Sequence, residues 1–134
     1  MDRVLQERLL LDPHVALGSD GSPGGSHPRS AGTFARVIEE LVVRTPRLSL
    51  EEAVRKATSL PASILGLADR GILRPGAKAD LLLFDPASVR ARATYVQPDL
   101  PAEGFDLVVV NGQPAFEGGE PAARAGRLLR RSAV

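Results

Sequence analysis

Residues 18–29 read Gly-Ser-Asp-Gly-Ser-Pro-Gly-Gly-Ser-His-Pro-Arg. This stretch combines free backbone rotation with locked proline φ angles, so neither a helix nor a strand can absorb it. Whatever the chain folds into must carry a long irregular loop close to its start. In front of it stands a brief apolar run, His14, Val15, Ala16 and Leu17, too short for a helix and suited to a buried strand. An aspartate, Asp20, therefore stands just past a strand, where α/β barrels and open α/β sheets place their working groups.

Around this loop the expected elements sort by period. Asp2 is a candidate N-cap for a short helix that Asp12 and Pro13 terminate. Thr33 is read as the cap of a second helix, with Phe34, Val37, Ile38, Leu41 and Val42 forming an apolar stripe. Ser49 and Glu52 make a capping box, and Leu50, Ala53, Val54 and Ala57 supply that helix with a buried face to about Thr58. A further short helix spans Leu60 to Leu65, with Pro61 in its first turn and Gly66 as its stop. Beyond Gly66 the period becomes extended. Arg74, Pro75 and Gly76 form a turn, and Asp80 to Pro86 reads as a buried strand. Leu107–Val110 and Gln113–Phe116 flank Asn111-Gly112, a hairpin signal, and Pro114 places the second strand at an edge. Ser88 to Gly104 reads mainly as loop.

Composition limits the chemistry. The chain has 134 residues, no cysteine, two histidines and a net charge of +1. Disulfides, thiolate metal sites and cysteine nucleophiles are excluded, and His14 with His27 cannot build an all-histidine metal site. A barrel enzyme needs about 250 residues, so one modest domain is the ceiling. The near-neutral charge argues against nucleic acid as a partner, and the lack of a long apolar run against a membrane; a cytoplasmic location is expected. Arg124, Arg127, Arg130 and Arg131 give residues 121–134 a charge of +4 against −3 for residues 1–120, read as a solvated, partly frayed end, with a nucleic-acid or lipid patch as the alternative.

In the loop, Gly18-Ser19-Asp20-Gly21 fails the spacing of a nucleophile elbow, and no Gly-Lys-Ser/Thr phosphate loop exists. On local pattern Asp20 is either a functional carboxylate or a turn former, as aspartate beside glycine often is. His27 is either an acid/base or ligand group or a structural loop histidine. Arg29 is a candidate fork for a carboxylate or an ordinary surface arginine.

The run Gly18 to Pro23, then His27-Pro28-Arg29, Gly32-Thr33-Phe34 and Leu48 to Val54, resembles the C-terminal third of the N-acyl-D-amino-acid deacylases, the D-aminoacylases of the amidohydrolase superfamily. Thr58 to Ala62, Asp69-Arg70-Gly71, Arg74 to Leu81, Phe84-Asp85-Pro86, Val110-Asn111-Gly112 and Gly126 to Leu129 continue the same order of motifs. Ala35 and the pair Ser63-Ile64 depart from it without touching a site residue. The resemblance implies an α/β fold, the C-terminal fragment of a (β/α)₈ TIM-barrel metal-dependent hydrolase plus strands of a composite β-sandwich. Residues 1–66 would hold the last barrel strand, the active-site loop and the closing helices. Residues 67–134 would hold the sandwich portion and the basic tail.

The resemblance further implies that Asp20 is the catalytic carboxylate and a weak candidate metal ligand, that Arg29 holds the carboxylate of an N-acyl-D-amino acid, and that His27 and Ser22 lie on the substrate side. Zinc is the implied cofactor, but the family's main ligands have no counterpart among these residues. The expectation is a chain inactive alone that needs a missing N-terminal barrel portion as partner. The alternative is a non-catalytic remnant that folds and self-associates as an interaction module.

Overall fold

A computed structural model describes residues 2–22 and 24–129. Helix α1 (Arg3–Leu11) opens where expected, with the Asp2 carboxylate accepting the Val4 amide at 2.9 Å. Residues 15–20 follow without regular secondary structure, and among the described residues they join no sheet. The expected strand thus forms no ladder among the described residues. What holds it is Leu17, whose side chain is buried and whose amide donates to the Lys56 carbonyl at 2.9 Å.

Helix α2 (Arg29–Val37) begins four residues before the expected cap. Thr33 caps nothing: its hydroxyl donates to the Arg29 carbonyl inside the helix at 2.8 Å. The helix continues into a π-helical segment, Ile38–Arg44, closed by the Thr45 amide on the Glu40 carbonyl five residues back. Along the expected stripe Val37 is buried and Phe34 exposed.

Helix α3 (Leu50–Ala57) starts on Ser49, whose hydroxyl accepts the Glu52 amide at 3.2 Å. Only half of the capping box forms, because the Glu52 carboxylate turns to Arg55 at 2.7 Å instead of reaching back. The buried face of α3 also differs from expectation, running through Ala53 and Lys56 while Val54 is exposed. Helix α4 (Ser59–Leu65) ends at Gly66 as read. Leu17, Val37, Leu48 and Ala53 form the core, with Leu10, Leu11, Leu41, Val42 and Ala57 packed against it.

The C-terminal part is one antiparallel sheet in the order β1 (Leu81–Phe84), β2 (Phe105–Val110), β3 (Gln113–Glu117) and β4 (Glu120–Pro121). The β2–β3 turn has the positive φ that its residues were read for, 50° at Asn111 and 80° at Gly112. Two expectations fail here. β1 is an edge strand, and Leu82 and Leu83 are 56% and 59% exposed, because among the described residues nothing covers its faces. β3 lies inside the sheet; Pro114 is accommodated where the β2–β3 register shifts between Val108 and Val109.

The span from Ser88 to Gly104 is mostly irregular, yet it contributes the buried Val89 and Ala93 and one bridge, Arg90 to Glu103. The tail begins more ordered than a frayed end, since Ala122 and Ala123 donate to the Ala115 and Pro114 carbonyls. Arg130 and Arg131 lie outside the described residues.

Candidate functional site

Asp20 sits at the end of the irregular segment 15–20 with φ at +49°, a left-handed conformation that aspartate tolerates better than most residues and that recurs at working sites. The turn hydrogen bond here comes from its neighbour, the Ser19 hydroxyl accepting the Gly21 amide at 3.2 Å. That frees the Asp20 carboxylate, which pairs with the Arg29 guanidinium at 2.9 Å. Arg29 also donates from Nε to the Asp20 carbonyl at 3.1 Å, so one fork grips both the main chain and the side chain of the aspartate. Arg29 can do this because it is the first residue of α2. Both side chains face solvent, and such a pair contributes little to stability, so a competing carboxylate can displace it cheaply.

His27 stands beside them. Its Nδ1 accepts the Arg29 amide at 3.1 Å, and its Nε2 lies 3.2 Å from the Tyr95 hydroxyl. Asp20, His27, Arg29 and Tyr95 line one cleft of about 880 Å³, whose other walls include Glu7 of α1, Arg36 of α2 and Glu40. Ser22 is not part of it. It lines a smaller hollow of about 350 Å³ with Gly25, Ser30 and Pro98. Pro23 lies outside the described residues.

Two residues escaped the sequence reading. Tyr95 lies in a stretch read as loop, and nothing local ties it to a histidine 68 positions away. Its one signal was being the sole tyrosine. Lys56 is completely buried, with its ammonium donating to the Asp12 and Val15 carbonyls. Burial pushes its pKa below the usual lysine value, with Arg55 adding to this and Glu52 and Asp12 opposing it. Its signal was three-residue spacing from Ala53, on the face that packs inward.

The donors present do not suit the implied zinc. Among the described residues no group of three or more histidine, cysteine, aspartate or glutamate side chains could hold a metal ion. The Asp20 carboxylate is engaged by Arg29, both ring nitrogens of His27 have partners, and His14 is bound to Asp12. These residues do not fit a metal by themselves. No helix among the described residues is long and apolar enough to cross a membrane.

Residues 7–116 match the amidohydrolase family. The chain is 44% identical to an N-acyl-D-glutamate deacylase of Alcaligenes xylosoxydans xylosoxydans, covering 99% of this chain and 28% of that protein. A crystal structure of D-aminoacylase superposes with a TM-score of 0.91 at 41% identity, over 98% of this chain and 28% of that one. The N-acyl-D-glutamate deacylase of Bordetella bronchiseptica, solved with zinc and a phosphonate inhibitor, gives 0.88 at 40% identity with the same coverage. The chain thus spans about 28% of the length of these relatives, and its α/β fold is that of the matching part of the D-aminoacylase barrel enzyme. The chain belongs to the amidohydrolase family.

Proposed function

We propose that this chain supplies the proton-transfer and substrate-carboxylate groups of a metal-dependent enzyme that hydrolyses N-acyl-D-amino acids, and that it is inactive without a complementary barrel portion. The observation that carries this reading is the joint placement of Asp20 and Arg29 in one cleft. Hydrolysis adds water across the amide carbonyl and breaks the C–N bond. Asp20 takes the proton from the attacking water and returns it to the leaving amine, giving a carboxylic acid and a D-amino acid. Arg29 exchanges Asp20 for the substrate carboxylate, which releases Asp20 to act as base. His27 borders the substrate, and Ser22 belongs to the same loop in a supporting place. Zinc, with Asp20 at most one of its ligands, would depend on side chains outside this set. Residues 1–66 form the barrel-derived portion and residues 67–134 the sandwich portion and tail.

Complementation tests this. The chain is combined with zinc, a relative's barrel portion and an N-acyl-D-glutamate, and the released amino acid is measured. Activity should appear only in the combination and fall by at least about 10²-fold in Asp20→Asn, the usual loss for a general acid–base. Activity retained in the variant, or absent from every combination, overturns the reading. The apolar β1 edge, with Leu81, Leu82 and Leu83 exposed, favours a second reading, a non-catalytic module that self-associates. That reading predicts a concentration-dependent dimer in sedimentation, abolished by Leu82→Lys.

A further inference from the structure

The cleft holds one contact that the proposed roles of Asp20 and Arg29 leave unused. Tyr95 reaches in from the segment between β1 and β2 and meets His27 edge-on, with ring centroids 5.1 Å apart and planes at 72°. The two nitrogens of His27 do different work. The Arg29 amide donates to Nδ1, so Nδ1 presents a lone pair; in the neutral ring the proton then sits on Nε2 and is donated to the Tyr95 oxygen. The amide that Nδ1 receives belongs to the first residue of α2, a donor that the helix itself cannot satisfy, and the residue before it, Pro28, offers no side-chain cap. His27 supplies that cap, and its ring is oriented from the far side by Tyr95.

We infer that Tyr95 is a positioning residue of this cleft: by holding His27 with Nδ1 unprotonated, it fixes the first turn of α2 and with it the Arg29 guanidinium. The consequence for substrate rests on the role proposed for Arg29; the contact itself does not. Tyr95 is exposed, so replacing its hydroxyl should leave the core intact.

Imidazole nitrogen NMR on the full chain decides the contact without catalysis, at a pH of about 8, where an ordinary histidine is neutral. His27 should show one tautomer, protonated on Nε2. Tyr95→Phe, which keeps the ring edge, should move it toward a mixture and displace the Arg29 amide resonance, with the exposed His14 as an unaffected internal control. A wild-type His27 protonated on Nδ1, or a variant with unchanged His27 and Arg29 signals, overturns the inference. In the complemented enzyme, Tyr95→Phe should raise KM about three- to tenfold, the range of one lost hydrogen bond, with kcat changed less than about twofold. An active enzyme with unchanged KM overturns the positioning role. A wild-type combination without activity overturns the proposed function instead, and the tautomer measurement still judges Tyr95.

Discussion

Replacing Lys56 by methionine isolates what a buried ammonium does for this fold. Methionine retains most of the apolar stem and removes the three donors. The Val15 carbonyl would lose its charged partner and be left unsatisfied, at about 1–3 kcal/mol, while the Asp12 carbonyl would lose the ammonium but keep the Val15 amide. Relief of the buried charge, whose cost is visible in the lowered pKa, offsets part of this. The expected net loss is about 1–3 kcal/mol, a sizeable share of the 5–15 kcal/mol typical of a domain. Urea unfolding followed by circular dichroism reads it as a lower midpoint with an unchanged slope.

The pH dependence supplies a second, signed readout. The folded state releases the Lys56 proton below 10.5 while the unfolded chain still holds it. In the window between the lowered folded pKa and 10.5, the unfolded state binds more protons, so the Lys56 contribution to stability rises with pH. Below that window the penalty is fully present. The methionine variant should lack this rise, so its deficit relative to wild type should widen in the alkaline range. A Lys56→Met protein within about 0.5 kcal/mol of wild type, with the same alkaline slope, would refute the argument.

Three further outcomes follow from the same reasoning. Gly104→Ala should cost roughly 2–4 kcal/mol in thermal or urea unfolding, because Gly104 has φ +88° and an added Cβ would collide with the Ser88 carbonyl. Arg70→Ala should destabilise the sheet by about 1–3 kcal/mol, since Arg70 joins Asp80 to the Asn111 side chain and the Asp80 carboxylate in turn accepts the Asn111 amide; amide exchange should accelerate first around the β2–β3 turn. Glu52→Gln should flatten acid unfolding. The Arg55 hydrogen bond holds the Glu52 carboxyl below 4.5, so its contribution is present above that value and lost as pH falls through the folded pKa, a slope that glutamine cannot show.

The local turn and cap chemistry was readable in the sequence, and the burial was not. Asp2, Ser49, Gly66 and Asn111-Gly112 act within a few residues of themselves, so their roles survive any tertiary context. Leu81 to Leu83 could be read as a strand from composition, but whether a second layer covers a strand is not written in it; that the run is an exposed edge follows only from the sheet order. Thr33 failed as a cap because α2 begins at Arg29 and leaves Thr33 inside the helix, where its hydroxyl donates to the Arg29 carbonyl. In the site, Asp20 and Arg29 were each singled out in one loop, but their pairing with each other was not read from the sequence. Tyr95 and Lys56 act on residues about 40 to 70 positions away, a separation at which local pattern carries no information.

Those distant contacts bear on how Asp20 is aimed. A carboxylate at the end of a sheet strand is oriented by ladder hydrogen bonds on both sides. Here residues 15–20 have no ladder among the described residues; their backbone is tied by the Val15 amide to Asp12 and the Leu17 amide to Lys56. Two cations add restraints among the described residues, one at each end: the Lys56 ammonium on the Asp12 and Val15 carbonyls, and the Arg29 guanidinium on the Asp20 carbonyl and carboxylate. They differ in strength by environment. Lys56 is buried and its bonds are costly to lose; Arg29 is exposed and its pairing is cheap to exchange. The near end of the segment is thereby held more firmly than the end carrying Asp20.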